Sequence, residues 1–251
     1  MTNIILSGCL GRMGRAVCAA AAERGDRIVA GIDPLGGSAD YPVYTSPEEI
    51  PADCAADVII DFSHHTALPA LLSFAMARQL PIVVATTGHT AEETAAMEAA
   101  ARRIPVFFSR NMSLGINLLT ELCRRAAATL GTAFDVEIIE RHHNRKLDAP
   151  SGTALMLADA IAEEREESEY VYDRHAVRRQ RDKREIGIHA VRGGTIVGEH
   201  EVMFAGRDEV ITLSHSAASR EVFATGALAA AAWLPAKPAG MYAMPDMVRE
   251  L

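Results

Sequence analysis

The 251-residue sequence is poor in aromatic side chains, in cysteine and in net positive charge. Phenylalanine, tryptophan and tyrosine make up 5% of the residues, and there is one tryptophan. The four cysteines show no paired spacing, which argues against a disulfide framework or a zinc site and predicts reduced thiols, as in a cytosolic protein. A formal net charge of −8 argues against general nucleic-acid binding.

Long hydrophobic runs are also missing, although 49% of the residues are hydrophobic. The longest weakly polar stretch, Ala224–Ala236, is alanine-rich and too short to cross a bilayer. Residues 1–6 have no basic segment ahead of their apolar run, so they do not resemble a signal peptide. These absences predict a cytoplasmic protein without a membrane partner, and the apolar content is sufficient for a real core.

Short β-branched runs alternate with helical stretches through the first 110 residues. Strands are predicted at Asn3–Ser7, Arg27–Ile32, Asp57–Phe62, Pro81–Thr86 and Pro105–Ser109, and helices at Arg12–Arg24, Ala67–Gln79 and Ala91–Arg103. Continuous apolar strands joined by helices are typical of a parallel sheet covered on both faces. The expected fold class is therefore α/β, a Rossmann-type doubly wound sheet, whose ligands bind beyond the carboxyl ends of its strands.

The pattern changes after residue 112. Helices are predicted at Leu114–Leu130 and Thr153–Glu164, and strands at Asp135–Glu140, Gly187–Val191, Thr195–Phe204 and Glu209–Ser214. Segregated helices and strands favour a second, α+β domain with an open mixed sheet. The charged segment 163–184 is predicted to be a mobile surface loop. An alanine-rich helix at Arg220–Leu234 is predicted to pack back onto the first domain.

A glycine-rich turn follows the first predicted strand and opens the first helix. Gly8, Gly11 and Gly14 form a GxxGxxG variant of the dinucleotide fingerprint, in which the backbone approaches a pyrophosphate at the helix amino terminus. Asp33 ends the second strand, 19 residues after Gly14, where a carboxylate can accept hydrogen bonds from ribose hydroxyls. The alternative is a strand terminated by glycine-rich packing that binds no ligand, with Asp33 starting a turn.

Two further segments lie at the ends of predicted strands. Ala85-Thr86-Thr87-Gly88 ends the fourth strand, and Ser109-Arg110-Asn111-Met112 ends the fifth. Both positions suit loops that contact the nicotinamide side of a bound cofactor. Ordinary strand-to-helix turns would occupy the same positions.

A basic cluster stands out in this acidic chain. Five of the seven residues in 140–146 (Glu-Arg-His-His-Asn-Arg-Lys) are basic or can become so, and Ser151 or Thr153 could cap the helix that follows. The free N–H groups of that helix would attract a carboxylate, and a histidine beside a lysine suits proton transfer. A phosphate-binding loop and a solvated basic turn remain open as alternatives. No metal is expected, because neighbouring histidines on an extended segment point to opposite sides.

At this point the sequence resembles a known family. The resemblance rests on three parts of the sequence. They are the GxxGRMG turn, the ExHHxxKxDAPSGTA segment over 140–154, and the pair of segments Gly187-Ile188-His189-Ala190-Val191-Arg192-Gly193-Gly194 and Val197-Gly198-Glu199-His200. Together they are similar to the dihydrodipicolinate reductase family of the diaminopimelate route to lysine. The resemblance implies a homotetramer that reduces a small cyclic dicarboxylate with NAD(P)H. It also implies a dinucleotide-binding domain of residues 1–112 plus 224–251 and a substrate-binding and tetramerisation domain of residues 113–223.

The resemblance also implies roles for particular residues. It makes His142 and Lys146 catalytic, and it gives the substrate contacts to His143, Gly152 and Thr153. The cofactor positions that it implies are Gly8, Cys9, Leu10, Gly11, Arg12, Met13, Asp33, Ala85, Thr86, Thr87, Ser109, Arg110, Asn111 and Met112.

Two positions depart from the family pattern. Ala85 stands where the family often has glycine, a small change that should preserve binding. Pro34 follows the acidic Asp33, where members that use NADPH well usually have a basic residue, so NADH is the expected preference. Two other functions compete. One is a different Rossmann oxidoreductase acting on a small dicarboxylate or amino acid, such as an amino-acid dehydrogenase with a linear substrate, and the other is a non-catalytic dinucleotide sensor. The sensor has no use for His142 and Lys146 beside a carboxylate site.

Overall fold

The computed structural model describes residues 1–176 and 178–251. The strands are β1 (Asn3–Ser7), β2 (Arg27–Ile32), β3 (Val43–Tyr44), β4 (Val58–Asp61), β5 (Ile82–Val84), β6 (Pro105–Phe108), β7 (Asp135–His142), β8 (Glu169–Val171), β9 (Glu185–Arg192), β10 (Gly198–Ala205), β11 (Val210–Ala217) and β12 (Gly240–Tyr242). The α-helices are α1 (Arg12–Arg24), α2 (Leu68–Arg78), α3 (Ala91–Ala100), α4 (Leu114–Leu130), α5 (Gly152–Ala162), α6 (Glu221–Trp233) and α7 (Met244–Glu250). Four short 3-10 helices complete the elements assigned in these residues.

The chain divides into two compact units, one of residues 1–114 and 221–251 and the other of residues 115–220. The first unit contains a seven-stranded sheet in the order β12-β6-β5-β4-β1-β2-β3, and all of its neighbouring strands are parallel. The strand order reverses direction at β1, which lies between β2 and β4. In such a sheet the reversal creates a ligand-binding crevice at the carboxyl ends of the strands.

Alternation along the strands gives the first unit a core on each face of its sheet. Ile4 and Leu6 of β1 pack with buried residues of α1, α6 and α7, while Ile5 between them packs with buried residues of α2 and α3. Helix α6 contributes four buried alanines, Ala224, Ala227, Ala230 and Ala231. These small side chains allow α6 to lie close to α1, so the predicted packing of this helix on the first domain is confirmed.

The second unit contains a five-stranded mixed sheet in the order β11-β10-β7-β9-β8. Strand β7 pairs antiparallel with β10 and parallel with β9, so it lies at the centre. Its residues alternate between half-buried and buried, and Val136 and Ile138 pack with α4 and α5 in one core. The predicted fold class, a Rossmann-type doubly wound parallel sheet with a second α+β domain carrying an open mixed sheet, is confirmed.

The charged segment 163–184 differs in part from the prediction of a surface loop. Its described residues include strand β8, which pairs with β9, and the buried Arg165. Arg165 donates hydrogen bonds to the carbonyls of Phe134 and Lys183 at 2.9 and 2.7 Å. Most other described residues of the segment are exposed and lie outside helices and strands, as predicted, and its mobility stays a prediction. Strand β8 and the buried Arg165 were not predicted, because a charged sequence does not show which arginines donate to backbone carbonyls. Val177, in the same segment, lies outside the described residues.

Candidate functional site

In the first unit, the glycine turn shapes the amino terminus of α1. Gly8 adopts a φ of +74°, and a Cβ on Gly14 would lie 2.2 Å from the Gly8 carbonyl oxygen, so neither position accepts a side chain. Gly11 is the N-cap of α1 and makes no side-chain capping bond, and the first turn of α1 carries no acidic residue. The N–H groups of that turn are therefore suited to an anion such as a pyrophosphate.

Asp33 lies beside this turn, at the carboxyl end of β2. Its carboxylate accepts hydrogen bonds from the backbone N–H groups of Leu10 at 3.3 Å and Leu35 at 3.2 Å. A carboxylate offers about four acceptor positions, so Asp33 can hold the turn and still accept from a hydroxyl group. Arg12, the first residue of α1, is exposed.

The two loops predicted for the nicotinamide side follow the adjacent strands β5 and β6. Thr86 donates to the carbonyl of Asp61 at 3.4 Å, and its own carbonyl accepts from His89 Nε2 at 3.0 Å. Ser109 donates to the carbonyl of Asn111 at 2.8 Å. The parallel sheet therefore places Ala85, Thr86, Thr87 and residues 109–112 at the same edge as the glycine turn. The side chains of Cys9 and Met112 are buried in the core, which leaves their backbones for ligand contact.

In the second unit, the central strand β7 carries a fully buried carboxylate, Glu140. Its oxygens accept four hydrogen bonds: two from Arg192 at 2.7 Å each, one from His142 Nδ1 at 2.6 Å and one from the Ser151 backbone N–H at 3.0 Å. Burial opposes ionisation of Glu140, but these donors outweigh burial and lower the pKa of its carboxyl. Glu140 is therefore an anion at neutral pH.

His142 is the last residue of β7, two positions beyond Glu140 on the same face. Burial lowers its pKa below the ordinary value, and the opposing effect of Glu140 does not cancel that shift. Its ring meets that of His200 on β10 edge to face at 5.1 Å. The predicted strand ended at Glu140, whereas β7 continues to His142 and therefore fixes the histidine on a rigid element.

Lys146 and His143 lie in the turn that follows β7. Lys146 Nζ is 2.9 Å from the carboxylate of Asp148, and this lysine lowers the pKa of Asp148. His143 Nε2 lies 3.5 Å from Arg220 Nη2, and His143 Nδ1 is buried without a partner among the described residues. Lys146, His143 and Arg220 thus present basic groups suited to an anionic ligand.

Helix α5 begins at the other end of this segment. Ser151 is its N-cap, with the hydroxyl accepting from the Ala154 N–H at 3.2 Å, so Ser151 and not Thr153 fills the predicted capping role. Gly152 and Thr153 occupy the first turn. The same hydroxyl lies 3.1 Å from His200 Nε2, and burial lowers the pKa of His200 to about 4.

Several residues of this site were not predicted to act in it. Glu140 and His200 lie within the quoted motifs but received no role, and Arg192 reaches Glu140 from 52 positions away in the chain. Arg220 is separated from His143 by 77 positions. In the described residues, no group of three or more histidine, cysteine or acidic side chains is arranged to hold a metal ion, and no helix is long and apolar enough to span a membrane.

These features define a class. A doubly wound parallel sheet with a glycine turn at a helix amino terminus, together with a unit carrying a buried Glu–His pair beside basic groups, is the architecture of a dinucleotide-binding oxidoreductase.

Comparison with known proteins gives the family. Residues 2–112 match the amino-terminal domain of dihydrodipicolinate reductase, and residues 115–248 match its carboxyl-terminal domain. The 4-hydroxy-tetrahydrodipicolinate reductase of Caldanaerobacter subterraneus subsp. tengcongensis is 52% identical, with alignment of 100% of this chain and 99% of that protein. The chain belongs to the dihydrodipicolinate reductase family and is an NAD(P)H-dependent oxidoreductase.

Solved structures agree with this assignment. The dipicolinate-bound dihydrodipicolinate reductase from Paenisporosarcina sp. TG-14 superposes with a TM-score of 0.79 at 25% identity, covering 97% of both chains. The WlbA dehydrogenase of Thermus thermophilus, solved with NAD and UDP-GlcNAcA, has a TM-score of 0.53 at 15% identity and covers 96% of this chain and 97% of that one. The latter likeness shows the fold alone.

Proposed function

We propose that this chain reduces 4-hydroxy-tetrahydrodipicolinate to tetrahydrodipicolinate, with loss of the 4-hydroxyl group as water, in the diaminopimelate route of lysine biosynthesis. The observation that carries the proposal is the buried Glu140–His142 pair at the end of β7, followed at once by basic residues. This arrangement combines a proton-transfer group with cations that attract carboxylates. Family membership and the dipicolinate bound to the Paenisporosarcina relative support a small cyclic dicarboxylate as substrate.

Within this function, each basic residue has a proposed role. His142 holds the proton that the reaction consumes, and Lys146 assists as the second catalytic donor. His143 and the backbone N–H groups of Gly152 and Thr153 hold the substrate carboxylates, because a helix amino terminus favours negative charge. Two carboxylates brought near His142 would raise its pKa, so substrate binding favours the protonated acid.

The glycine turn from Gly8 to Met13, Asp33, and the loops 85–87 and 109–112 are proposed to hold the dinucleotide. The turn fits this group, because its glycines leave space for a pyrophosphate and α1 begins without a side-chain cap. When bound, the reduced nicotinamide supplies the hydride. The protein residues orient the cofactor and the substrate for close, aligned approach.

NADH is proposed as the better cofactor, with NADPH also accepted. The Asp33 carboxylate would oppose the 2′-phosphate of NADPH at a cost of about 1–2 kcal/mol, roughly tenfold in affinity, and Arg12 in the glycine turn is the cation proposed to offset it. Comparing kcat/KM for the two cofactors at fixed substrate and salt tests this. A tenfold preference for NADPH would show that Arg12 or another cation outweighs Asp33.

The remaining assignments concern the units and the cell. We propose that residues 1–112 with 224–251 act as the cofactor domain, that residues 113–223 bind substrate and assemble a homotetramer, and that the protein acts in the cytoplasm without nucleic-acid or membrane partners.

A coupled assay tests the activity. An aldolase makes the substrate from pyruvate and aspartate semialdehyde, and loss of reduced nicotinamide is followed with each cofactor. Consumption that requires the aldolase supports the proposal. No consumption with either cofactor contradicts it, and dinucleotide binding without turnover would then indicate a sensor. Turnover of a linear 2-oxo acid with ammonia would indicate an amino-acid dehydrogenase.

A further inference from the structure

We propose that Glu140 is a positioning residue that, together with Arg192, fixes the tautomer of His142 and makes Nε2 the atom that carries the reactive proton. The part of His142 in the reaction rests on the proposed function. The tautomer is a property of the protein itself and can be measured without any substrate.

The argument begins with the donors around Glu140. Its Oε2 lies 2.6 Å from His142 Nδ1 and 2.7 Å from Arg192 Nη1, while Oε1 accepts from Arg192 Nη2 at 2.7 Å and from the Ser151 N–H at 3.0 Å. An ionised carboxylate only accepts hydrogen bonds, so His142 Nδ1 must carry a hydrogen. A neutral imidazole has one N–H, and its Nε2 is therefore the basic atom.

The surroundings of Nε2 leave it available. A Cβ built on Gly198 of β10 would lie 3.1 Å from this nitrogen, so the glycine keeps space open beside it. The nearest aromatic neighbour, His200, places its Nε2 against Ser151. Nδ1 is thus hydrogen-bonded to Glu140, and Nε2 is the ring nitrogen that can exchange a proton.

Arg192 determines how strongly Glu140 favours protonation of His142. A buried carboxylate with His142 as its main partner would stabilise the imidazolium and raise the pKa of His142 strongly. The bidentate pair with Arg192 offsets much of the negative charge. The other charged or titratable groups facing His142 are Lys146 from the following turn and His200 from β10, with His215 of β11 next to His200. Burial, Lys146 and Arg192 oppose protonation of His142, and Glu140 favours it.

A purely structural role would give different results. Glu140 and Arg192 also join β7, β9 and the start of α5, so removal of either could loosen the fold. A loosened fold would not move the pKa of His142 in opposite directions in the two variants. If Glu140 and Arg192 act as proposed, loss of the carboxylate lowers the pKa of His142, and loss of the guanidinium raises it.

Glu140→Gln should reverse the tautomer as well. Each oxygen of Glu140 accepts from two donors, and His142 Nδ1 is the one of the four that can also act as an acceptor. The amide oxygen of glutamine therefore belongs at the Oε1 position, and its NH₂ group then faces His142 Nδ1, with Arg192 Nη1 displaced. Nδ1 must accept from this group, which moves the imidazole hydrogen to Nε2. The neutral ring is then locked in the wrong tautomer, as when an orienting carboxylate of a catalytic histidine is replaced by its amide.

The experiment is a pH titration of protein labelled with ¹⁵N in its histidines, read by long-range ¹H–¹⁵N spectra and assigned with His142→Gln. Wild type should show neutral His142 protonated on Nδ1. Glu140→Gln should show Nε2–H and a titration midpoint lower by roughly one pH unit or more. Arg192→Met should keep Nδ1–H and shift the midpoint upward. Glu137→Gln is the matched control, because Glu137 pairs with His189 on the opposite face of the same strand at 2.8 Å; it should leave His142 unchanged.

Wild-type His142 with Nε2–H, or a tautomer and midpoint unaffected by Glu140→Gln, would overturn the proposal. If Glu140→Gln does not fold, Arg192→Met decides alone, and a midpoint that fails to rise rejects it. Kinetics then test the link to catalysis: Glu140→Gln should lower kcat at pH 7 by about 10²–10⁴-fold, with KM for the dinucleotide unchanged. A confirmed tautomer with an inactive wild-type enzyme in the coupled assay would contradict the proposed function only.

Discussion

At the scale of single residues, loss of the His142 imidazole should lower turnover while leaving the fold intact. Replacing it with glutamine keeps a polar side chain next to Glu140 but removes the proton carrier. Turnover should fall by about 10²–10⁴-fold, the usual contribution of a general acid, while cofactor binding is retained.

Steady-state kinetics and NADH titration check this, with the exposed His175→Gln as control. A His142→Gln enzyme within threefold of wild type would remove this histidine from the mechanism.

Arg220 gives a second prediction at this scale. Its guanidinium lies next to His143, so the two groups can share one carboxylate of the ligand. Arg220→Met should raise the dissociation constant of dipicolinate about tenfold, equivalent to about 1.4 kcal/mol, because a charge-assisted hydrogen bond is lost. Isothermal calorimetry measures this change. Arg207→Met, at a side chain that is 95% exposed, is the control, and equal losses in both variants would contradict a local role.

At the scale of elements, the sequence predicted the main strands and helices because their hydrophobic patterns are strong. Strand β1 and helices α1 and α4 have the predicted bounds. The strands that escaped prediction, β3, β8 and β12, have two or three residues each and form by pairing with a longer neighbour. Such short strands depend on tertiary contacts, which a local pattern does not contain.

The candidate site was predictable to the extent that it is contiguous in the chain. The turn from Gly8 to Gly14 and the segment from Glu140 to Thr153 can be recognised because their spacing carries the chemistry. Arg192 could not be given its role, because its partner is known only when β9 is seen to pair with β7. The role of the fully buried Glu140 was not predicted for the same reason, since a sequence does not show which charged side chain is buried.

The charged segment 163–184 supplies a prediction about stability. Arg181, with its side chain 17% exposed, contacts the carboxylates of Glu137 and Asp135 at 3.0 and 2.9 Å and the carbonyls of Val136 and Glu185 at 2.8 and 2.6 Å. Arg181→Met should lower the free energy of unfolding by about 2–3 kcal/mol, because it leaves partly buried acceptors without a donor.

Urea denaturation measures the change. Arg184→Met is the matched control, because this arginine is 49% exposed and pairs with Asp182 and Glu167 at the surface, where ion pairs contribute about 0–1 kcal/mol. Equal destabilisation by the two substitutions would show that Arg181 does not anchor the segment.

At the scale of the whole molecule, the five-stranded sheet has one face packed against helices. The other face carries the apolar Ile139, Val191 and Met203 among charged side chains, which include Glu137, Arg141, Glu199 and Glu201. Val191 is 44% exposed. A broad sheet face with apolar residues favours burial against another copy of the same chain, and closed symmetric assemblies are the usual outcome. We therefore expect a homotetramer in solution.

Sedimentation velocity at micromolar concentration tests this expectation. Met203→Asp should dissociate the assembly, because it introduces a charge into the apolar part of the face. Leu35→Asp, at an exposed position of the other unit, should not. A wild-type monomer would refute the tetramer.

The pairing of Lys146 with Asp148 has a consequence for ligand binding. The ammonium group of Lys146 has a carboxylate partner at 2.9 Å, supplied two residues along the chain. A dicarboxylate that takes Lys146 therefore exchanges one carboxylate for another, and the ion pair gained is offset by the ion pair lost. Net affinity must then come from groups that Asp148 does not engage, such as His143 and Arg220. Asp148 thus competes with the ligand for Lys146, and binding favours an anion whose second carboxylate reaches His143 and Arg220.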